Sequence, residues 1–275
     1  MKSQQFTNVL QAKMYELARP KYVKDMFSNI MKRVKHKTNL LDIACGTGQL
    51  LYPLSIHFDT SIGVDVSKQQ IDEAKAKIEK NNSNKIFFYT TDVYDLCSVL
   101  KNEEKIKYEK NMFDLVVIGQ AFHWFEEEKL LSFIKSELLK PGGVLAINGY
   151  QKQHFKEDNK IFSPTEKLIQ ELTTYFECDV KYNDSGYLTS YPVFKKYFKN
   201  FENTNYTEGF DNSIENVVSL IKSWSAYVNF NKDNIEGKKI DPLAEFVKEI
   251  ESLGLKKEDT VEYCNFYFSL VMDDQ

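Results

Sequence analysis

One short segment, Leu40–Leu50, constrains the fold of this chain more than any other. It reads LLDIACGTGQL: an apolar run interrupted by an acid, then a loop of small residues, then a helix-like stretch. Leu40–Ala44 suits a buried parallel strand, and Gly46 and Gly48 let the backbone turn sharply and approach a ligand closely. The first N–H groups of the following helix would point into the loop. The segment therefore predicts a strand, a loop that either binds a ligand or simply turns, and a helix.

Two acidic residues favour a ligand-binding loop over a plain turn in this segment. Asp42 lies inside the strand end, where a buried carboxylate is costly unless something pairs with it. A second apolar strand, Ser61–Val66, carries Asp65. That acid follows the glycine loop by about 20 residues, the interval expected of a carboxylate that binds ribose hydroxyls. We therefore expect a nucleotide-like ligand at this loop.

Strand and helix patterns then alternate along the chain. Strands are predicted at Leu40–Ala44, Ile62–Asp65, Lys85–Tyr89, Phe113–Ile118 and Val144–Ile147, and helices near Gly48–Ile56, over Lys68–Lys80 and over Leu130–Leu139. This alternation predicts βαβ units and a parallel sheet covered on both faces, which places ligands at the carboxyl ends of its strands. Asp42, Asp65, Asp92 and Gln120 all fall at such ends.

The composition argues against nucleic acids, metals and membranes as partners. The formal net charge is -4 and the chain has two arginines, the residue favoured for forked contacts to phosphate and guanine. The four cysteines form no C-x-x-C pair, so neither a zinc site nor a disulfide framework is indicated. No N-terminal apolar region and no run of about 18 apolar residues occurs. We expect a cytoplasmic monomer with no metal, nucleic-acid or membrane partner.

Four motifs together resemble those of class I S-adenosylmethionine-dependent methyltransferases. They are Asp42–Gly48 (DIACGTG), Asp65, Thr91-Asp92-Val93 and Leu138–Gly143 (LLKPGG). The family usually has glycine where Ala44 stands. The resemblance covers roughly Leu40–Asn148 and implies a Rossmann-like methyltransferase fold with S-adenosyl-L-methionine as the cofactor.

A narrower resemblance spans nearly the whole chain through short, separated motifs. They are YELARP at Tyr15–Pro20, AFHWF at Ala121–Phe125, NGY at Asn148–Tyr150 and WSAY at Trp224–Tyr227. These motifs are similar to those of the trans-aconitate methyltransferase subfamily, whose members resemble small-acid carboxyl O-methyltransferases. The resemblance supports the subfamily more than the substrate.

The resemblance also implies roles for individual residues. The glycines would face the methionine part of the cofactor, Asp65 would bind its ribose and Asp92 would read the adenine edge. The residues expected at the cofactor are Tyr15, Arg19, Asp42, Ala44, Cys45, Gly46, Gly48, Asp65, Val66, Gln70, Thr91, Asp92, Val93 and Gln120. His123 and Trp124 are the expected catalytic residues, and Tyr150, Trp224 and Tyr227 the expected substrate contacts.

The rest of the chain is predicted to cover and complete the sheet. The predicted elements are a helix or helix pair over Gln4–Val34 interrupted at Arg19-Pro20, a helix over Asp211–Phe230, a helix begun by Asp241-Pro242 and stopped at Gly254, and a late strand Thr260–Val271 with Phe201–Phe210 as its partner. We expect one α/β domain over 1–275 with a doubly wound, mainly parallel seven-stranded sheet and a helical cap. Its parts are cofactor-covering helices at 1–37, the cofactor-binding core at 38–150, and the cap with the last strands at 151–275.

Several functions stay open at this stage. The leading hypothesis is carboxyl O-methylation of a small organic acid such as trans-aconitate, in which His123 orients the acceptor or assists its deprotonation. The alternatives are methylation of a quinone, phenol or other hydroxyl, with His123 as base, and a catalytically silent cofactor-binding protein. A nicotinamide dehydrogenase is disfavoured because Leu51 occupies the spacing of the third glycine. Methylation of an amino group in a nucleic acid or glutamine is disfavoured, because the enzymes of that kind have an N-P-P-Y-like tetrad at the end of the fourth strand and Gly119–Phe122 (GQAF) is not one.

Overall fold

A computed structural model describes residues 22–81, 86–150, 154–155, 159–175, 186–235 and 237–275. The elements of the first half are α1 Lys24–Arg33, β1 Asn39–Ile43, α2 Leu51–Ser55, β2 Thr60–Asp65, α3 Lys68–Asn81, β3 Ile86–Thr90, α4 Leu96–Lys101, β4 Phe113–Gly119, α5 Glu127–Phe133 and β5 Leu139–Tyr150. Those that follow are β6 His154–Phe155, α6 Phe162–Leu172, α7 Tyr191–Tyr197, β7 Asn200–Ser213, α8 Ile214–Lys222, α9 Ser225–Asp233, α10 Pro242–Ser252 and β8 Thr260–Asp273.

The strands form one sheet in which β3, β2, β1, β4 and β5 run parallel in that order. β8 is antiparallel and lies between β5 and β7, with its whole length paired to β7. This arrangement confirms the doubly wound, mainly parallel seven-stranded sheet expected from the sequence. The eighth strand, β6, has two residues and pairs with the same edge of β8 as β5 does, shifted by one residue in register.

The parallel strands are buried on both faces, as their continuous apolar runs predict. In β1 the side chains of Leu40, Leu41 and Ile43 are at most 1% exposed, and β4 is buried from Phe113 to Ile118. One apolar cluster packs on each face of the sheet, and a third, defined here as the cap core, unites helices α6 and α8–α10. The helices of the cap core lie between the late strands, so the cap is built from insertions into the sheet.

The sequence prediction of a single helix over Asp211–Phe230 is wrong. The first residues of that range end β7, and the helix breaks at Trp224, which has extended backbone (ψ 134°) between α8 and α9. The Ser223 hydroxyl donates to the Leu220 carbonyl at 2.6 Å, so it competes with the helical hydrogen bonds at the break. The apolar period runs on across the break because both helices bury residues in the cap core.

Other helix signals are confirmed. Asp241 caps α10 by accepting a hydrogen bond from the Leu243 N–H at 2.9 Å, and Gly254, with φ +79°, follows the end of that helix. The predicted N-terminal helix is observed from Lys24 to Arg33, and the part of the prediction before residue 22 lies outside the described residues. Within the described ranges, no helix combines the length and the apolarity needed to cross a membrane.

Candidate active site

Four loops meet at the carboxyl ends of β1, β2, β3 and β4. The parallel pairing of these strands brings their ends to one edge of the sheet, as expected from the sequence. Each loop carries residues predicted to bind the cofactor or the acceptor. We define the ends of β1–β3 as the cofactor side of the site and the end of β4 as the acceptor side.

The loop after β1 has a strongly bent backbone. Ala44, Gly46 and Gly48 all have positive φ, at 55°, 54° and 84°. The left-handed conformation is strained for alanine but not for glycine, which accounts for the glycine usually found where Ala44 stands. Gly48 is also required sterically, because a Cβ atom there would lie 2.7 Å from the Tyr52 ring.

Asp65 connects this loop to the end of β2. Its Oδ2 accepts the Gly46 N–H at 3.0 Å and its Oδ1 accepts the Ser67 N–H at 2.8 Å. Burial raises the pKa of Asp65, and these N–H donors act against the increase. A carboxylate has about four lone-pair sites, so Asp65 keeps the capacity to accept two further hydroxyl donors.

Ser67 directly precedes α3. Its hydroxyl accepts the Gln70 N–H at 3.4 Å, and its own N–H donates to the Asp65 carboxylate. Gln70 is buried, and its Oε1 lies 3.5 Å from the position of a Cβ on Gly46. The start of α3 is therefore joined to both the acid and the glycine loop.

Asp42 is a buried acid within β1, close to the glycine loop. Its side chain is 1% exposed, and its Oδ2 has no hydrogen-bond partner among the described residues. Burial first, and then the charge of Asp65, raise the pKa of Asp42 well above its ordinary range, while the Leu51 N–H lowers it. A buried carboxylate with an unpaired oxygen beside a ligand loop suits a cationic group on the ligand.

Cys45 lies in the same loop but does not have the properties of a nucleophile. Burial, followed by the charges of Asp42 and Asp65, raises the pKa of its thiol well above the ordinary value. The thiol therefore stays protonated and unreactive. Its sulfur packs close to Gly63, where a Cβ would lie 2.9 Å from Sγ and 2.7 Å from the Phe88 ring. Sequence reasoning missed Gly63, although a glycine inside a strand is itself a signal of close approach.

The end of β3 supplies the third part of the cofactor side. Asp92 is half-buried and its Oδ1 accepts the Tyr94 N–H at 3.1 Å, which caps a short turn over Val93–Asp95. The Thr91 N–H donates to the Asp65 backbone carbonyl at 3.0 Å and so ties this loop to β2. Val93 is buried and Val66 is half-buried. The structure thus brings together the residues predicted at the ends of β1, β2 and β3.

The acceptor side begins with Gln120, which has a positive φ of 52°. Its N–H donates to the Asn148 carbonyl at 2.9 Å and its Nε2 donates to the Tyr150 carbonyl at 2.6 Å, so β4 and β5 are joined at their ends. The Tyr22 ring packs 6.1 Å from that of Tyr150. A Cβ on Gly119 would lie 2.7 Å from the Tyr22 hydroxyl, which places this hydroxyl over the end of β4. No pattern in the sequence pointed to Tyr22.

His123 and Trp124 follow in a short helical turn over Phe122–Trp124. Both side chains are half-buried, and their ring centroids lie 4.9 Å apart with a tilt of 52°. The Nδ1 of His123 is hydrogen-bonded to the Tyr187 hydroxyl at 2.9 Å. Tyr187 is fully buried and was missed by sequence reasoning, because no local pattern links residues 64 positions apart.

Two of the predicted substrate contacts, Tyr227 and Trp224, pack in the cap core. Tyr227 belongs to the cap core, where its hydroxyl donates to the Asp241 carboxylate at 3.0 Å and its ring stacks on Phe230. Trp224 packs against the same cluster. Tyr15 and Arg19 lie outside the described residues.

Comparisons with known proteins agree with this geometry. Residues 41–145 match the family model described as a methyltransferase domain. A candidate methyltransferase of Dictyostelium discoideum is 28% identical over 224 residues, which cover 80% of this chain and 77% of that protein. A "probable S-adenosylmethionine-dependent methyltransferase" of Saccharomyces cerevisiae is 29% identical over 143 residues, or 51% of this chain and 46% of the yeast protein. The match to the yeast protein thus spans less than half of its length.

A solved structure shows the same fold. It is that of a candidate type II methyltransferase of Anaeromyxobacter dehalogenans, with a TM-score of 0.70 and 18% sequence identity. The similarity covers 93% of this chain and 97% of that one. The order of strands described above therefore belongs to a fold that occurs in methyltransferase structures.

The residues on the cofactor side fit S-adenosylmethionine. The unpaired Oδ2 of buried Asp42 suits the positive charge that this cofactor carries, and Asp65 keeps lone pairs for the hydroxyls of a ribose. The matching domain and the relatives show that the chain is an S-adenosylmethionine-dependent methyltransferase, and the fold and these acids agree with that activity.

Proposed function

We propose that this enzyme methylates a carboxylate of a small organic acid, such as trans-aconitate, and so forms a methyl ester. The observation that supports this proposal is the contact of His123 with a neutral phenol, Tyr187, at the end of β4. A histidine that acts as a general base is typically oriented by a third group that stabilises its charged form, often a carboxylate. The Nδ1 of His123 has a hydroxyl in that position.

A carboxylate acceptor suits such a site. It is already ionised at pH 7 and requires no base, so the protein must only align the acceptor and exclude water. The negative charge of the acceptor disappears as the methyl group arrives, and a group that held this charge too strongly would slow the step. The side chains of Gln120, Trp124, Tyr150 and Tyr187 on the acceptor side carry no formal charge at pH 7.

Each side of the site then has its own task. When bound, S-adenosylmethionine supplies the activated methyl group. Asp65 accepts the ribose hydroxyls while the N–H groups of Gly46 and Ser67 hold its carboxylate in place. Asp42 balances the positive charge of the cofactor. His123 orients the acceptor carboxylate, and Trp124 forms an apolar wall beside it.

The test is a labelled-methyl assay with a panel of small di- and tricarboxylic acids, including trans-aconitate. We expect transfer to at least one acid and release of the label by mild base, because esters hydrolyse where ethers do not. A base-stable product from phenols or quinones, without transfer to any acid, would instead support hydroxyl methylation. Tight cofactor binding with no transfer to either panel would support the silent binding protein.

A further inference from the structure

The partner of His123 is held in one position by its surroundings. The Tyr187 side chain is fully buried, and its ring meets those of Phe122 and Phe268 edge-on at 5.2 Å and 5.5 Å. These contacts leave the ring little freedom. The hydroxyl therefore stays at a fixed point, 2.9 Å from the Nδ1 of His123.

The backbone around Tyr187 is strained and anchored. Gly186 and Tyr187 both have a φ of 60°, and the left-handed region is unfavourable for a bulky residue such as tyrosine. The turn is closed by the Ser190 N–H, which donates to the Tyr187 carbonyl at 2.9 Å, and the Ser190 hydroxyl donates to the Glu127 carboxylate at 2.5 Å. Strain that is maintained by such contacts is typical of functional positions.

The chemistry of the two groups sets the direction of their hydrogen bond. A neutral imidazole has one protonated nitrogen and one that accepts, and a phenol hydroxyl can donate or accept. A phenol, whose ordinary pKa is about 10, is the better donor, and the unprotonated imidazole nitrogen is a stronger acceptor than a phenol oxygen. The favoured arrangement is thus a Tyr187 O–H that donates to the Nδ1 of His123.

We propose that Tyr187 is a positioning residue that holds His123 in the form protonated on Nε2. In this form His123 is a neutral hydrogen-bond donor to the acceptor carboxylate and has no ring lone pair left for removing a proton. The part concerning the acceptor rests on the proposed function. The protonation state of the ring does not, and it separates an orienting histidine from a basic one.

The first test measures directly which ring nitrogen of His123 carries the proton. Long-range ¹⁵N–¹H spectra of histidine-labelled protein at about pH 8, above the ordinary histidine pKa, distinguish the two neutral forms. The chain has four histidines, and the His123 signals are identified by their absence in His123→Gln. We expect a protonated Nε2 in the wild-type protein and a mixture of forms in Tyr187→Phe.

The second test measures kcat in a double-mutant cycle of Tyr187 and His123. Tyr187→Phe keeps the ring and removes the hydroxyl, and we expect kcat to fall about tenfold with unchanged cofactor affinity. In a His123→Gln background the same change should have no further effect. Tyr191→Phe is the matched control, because the Tyr191 ring packs on Phe194 within α7 and on Phe201 of β7. It should leave kcat unchanged.

The possible results are distinct. A wild-type ring protonated on Nδ1, or an effect of Tyr187→Phe that persists without His123, would overturn the proposal. A ring protonated on Nε2 in an enzyme that methylates no acid would keep the positioning role and contradict the proposed function instead. If Tyr187→Phe does not fold, the spectrum of the wild-type protein still decides between the two forms.

Discussion

On the cofactor side of the site, the carboxylates of Asp65 and Asp92 accept backbone N–H groups, whereas on the acceptor side the His123 ring contacts a side chain from a distant turn. Asp65 accepts N–H groups 19 and 2 residues away, and Asp92 accepts one 2 residues away. The hydroxyl that meets His123 is 64 residues away. The first arrangement depends on loop conformation and the second on the packing of the whole molecule.

This difference suggests separate roles for the two sides. Acids that are fixed by the backbone at the strand ends can bind the same cofactor whatever lies beyond them. An acceptor side assembled from distant segments can change its substrate when those segments change. Substitutions on the cofactor side should therefore alter binding, and substitutions on the acceptor side should alter turnover.

The largest expected effect is that of Asp65→Ala. The variant loses the acceptor of the ribose hydroxyls and the carboxylate that holds the Gly46 N–H, so cofactor affinity should fall about a thousandfold by calorimetry. Asp72→Ala is the matched control, since Asp72 is an exposed acid paired with Lys68 on α3. Unchanged affinity in a folded Asp65→Ala protein would refute the ribose assignment.

His123→Ala should separate the two sides next most strongly. Loss of the group that orients the acceptor should lower kcat about a hundredfold, while cofactor affinity changes less than about twofold. Steady-state kinetics and calorimetry on the same preparation give both quantities. His57→Ala, at an exposed position, is the control. Equal losses of turnover and cofactor binding would show that the two sides are not separate.

A smaller effect is expected in the pH dependence of stability. Because the pKa of Asp42 is raised in the folded state, this group's contribution to stability is complete below its ordinary pKa of 3.8 and is lost as the pH rises through the folded value. The free energy of unfolding of Asp42→Asn should therefore depend less on pH, and at high pH it should exceed that of the wild type by at least about 1 kcal/mol.

Urea unfolding of the cofactor-free protein at about pH 5 and about pH 8 measures this difference. Asp72→Asn, which changes an exposed acid, should keep the wild-type dependence. The same Asp42→Asn protein should bind the cofactor more weakly, since the carboxylate that balances its positive charge is gone. Parallel stability curves for Asp42→Asn and the wild type would contradict the burial argument.

The smallest effect concerns the cap. Tyr227→Phe removes the hydrogen bond to Asp241 and should lower the free energy of unfolding by about 1 kcal/mol without a change in KM. Tyr197→Phe, which removes a hydroxyl bonded to the Glu128 carbonyl, is the control. A several-fold rise in KM for Tyr227→Phe would instead support the predicted contact of Tyr227 with the substrate and extend the acceptor side into the cap.

The cofactor side could be predicted from the sequence because its signals are local. Each signal occupies only a few consecutive residues: a buried strand, the glycine loop or an acid at a strand end. The parallel pairing of the strands then brings these stretches together. The bent backbone at Ala44 could be anticipated in the same way, because the family's glycine marks a left-handed position.

The acceptor side could not be predicted to the same depth. Tyr187 has no sequence feature that links it to His123, and Tyr22 reaches the end of β4 through tertiary packing. The helix break at Trp224 was missed for a related reason, since helices on both sides of it bury the same face. In each case the deciding contact joins residues that periodicity does not relate.

The position of β8 has a consequence for protein synthesis. This strand fills the place between β5 and β7, yet every other strand precedes it in the chain. During synthesis on the ribosome, the edges of β5 and β7 that pair with β8 stay unpaired until residue 273 has been translated. Unpaired strand edges can pair with other chains and so promote aggregation. The nascent chain should accordingly depend on chaperones late in its synthesis, and premature termination before β8 should yield an aggregating product.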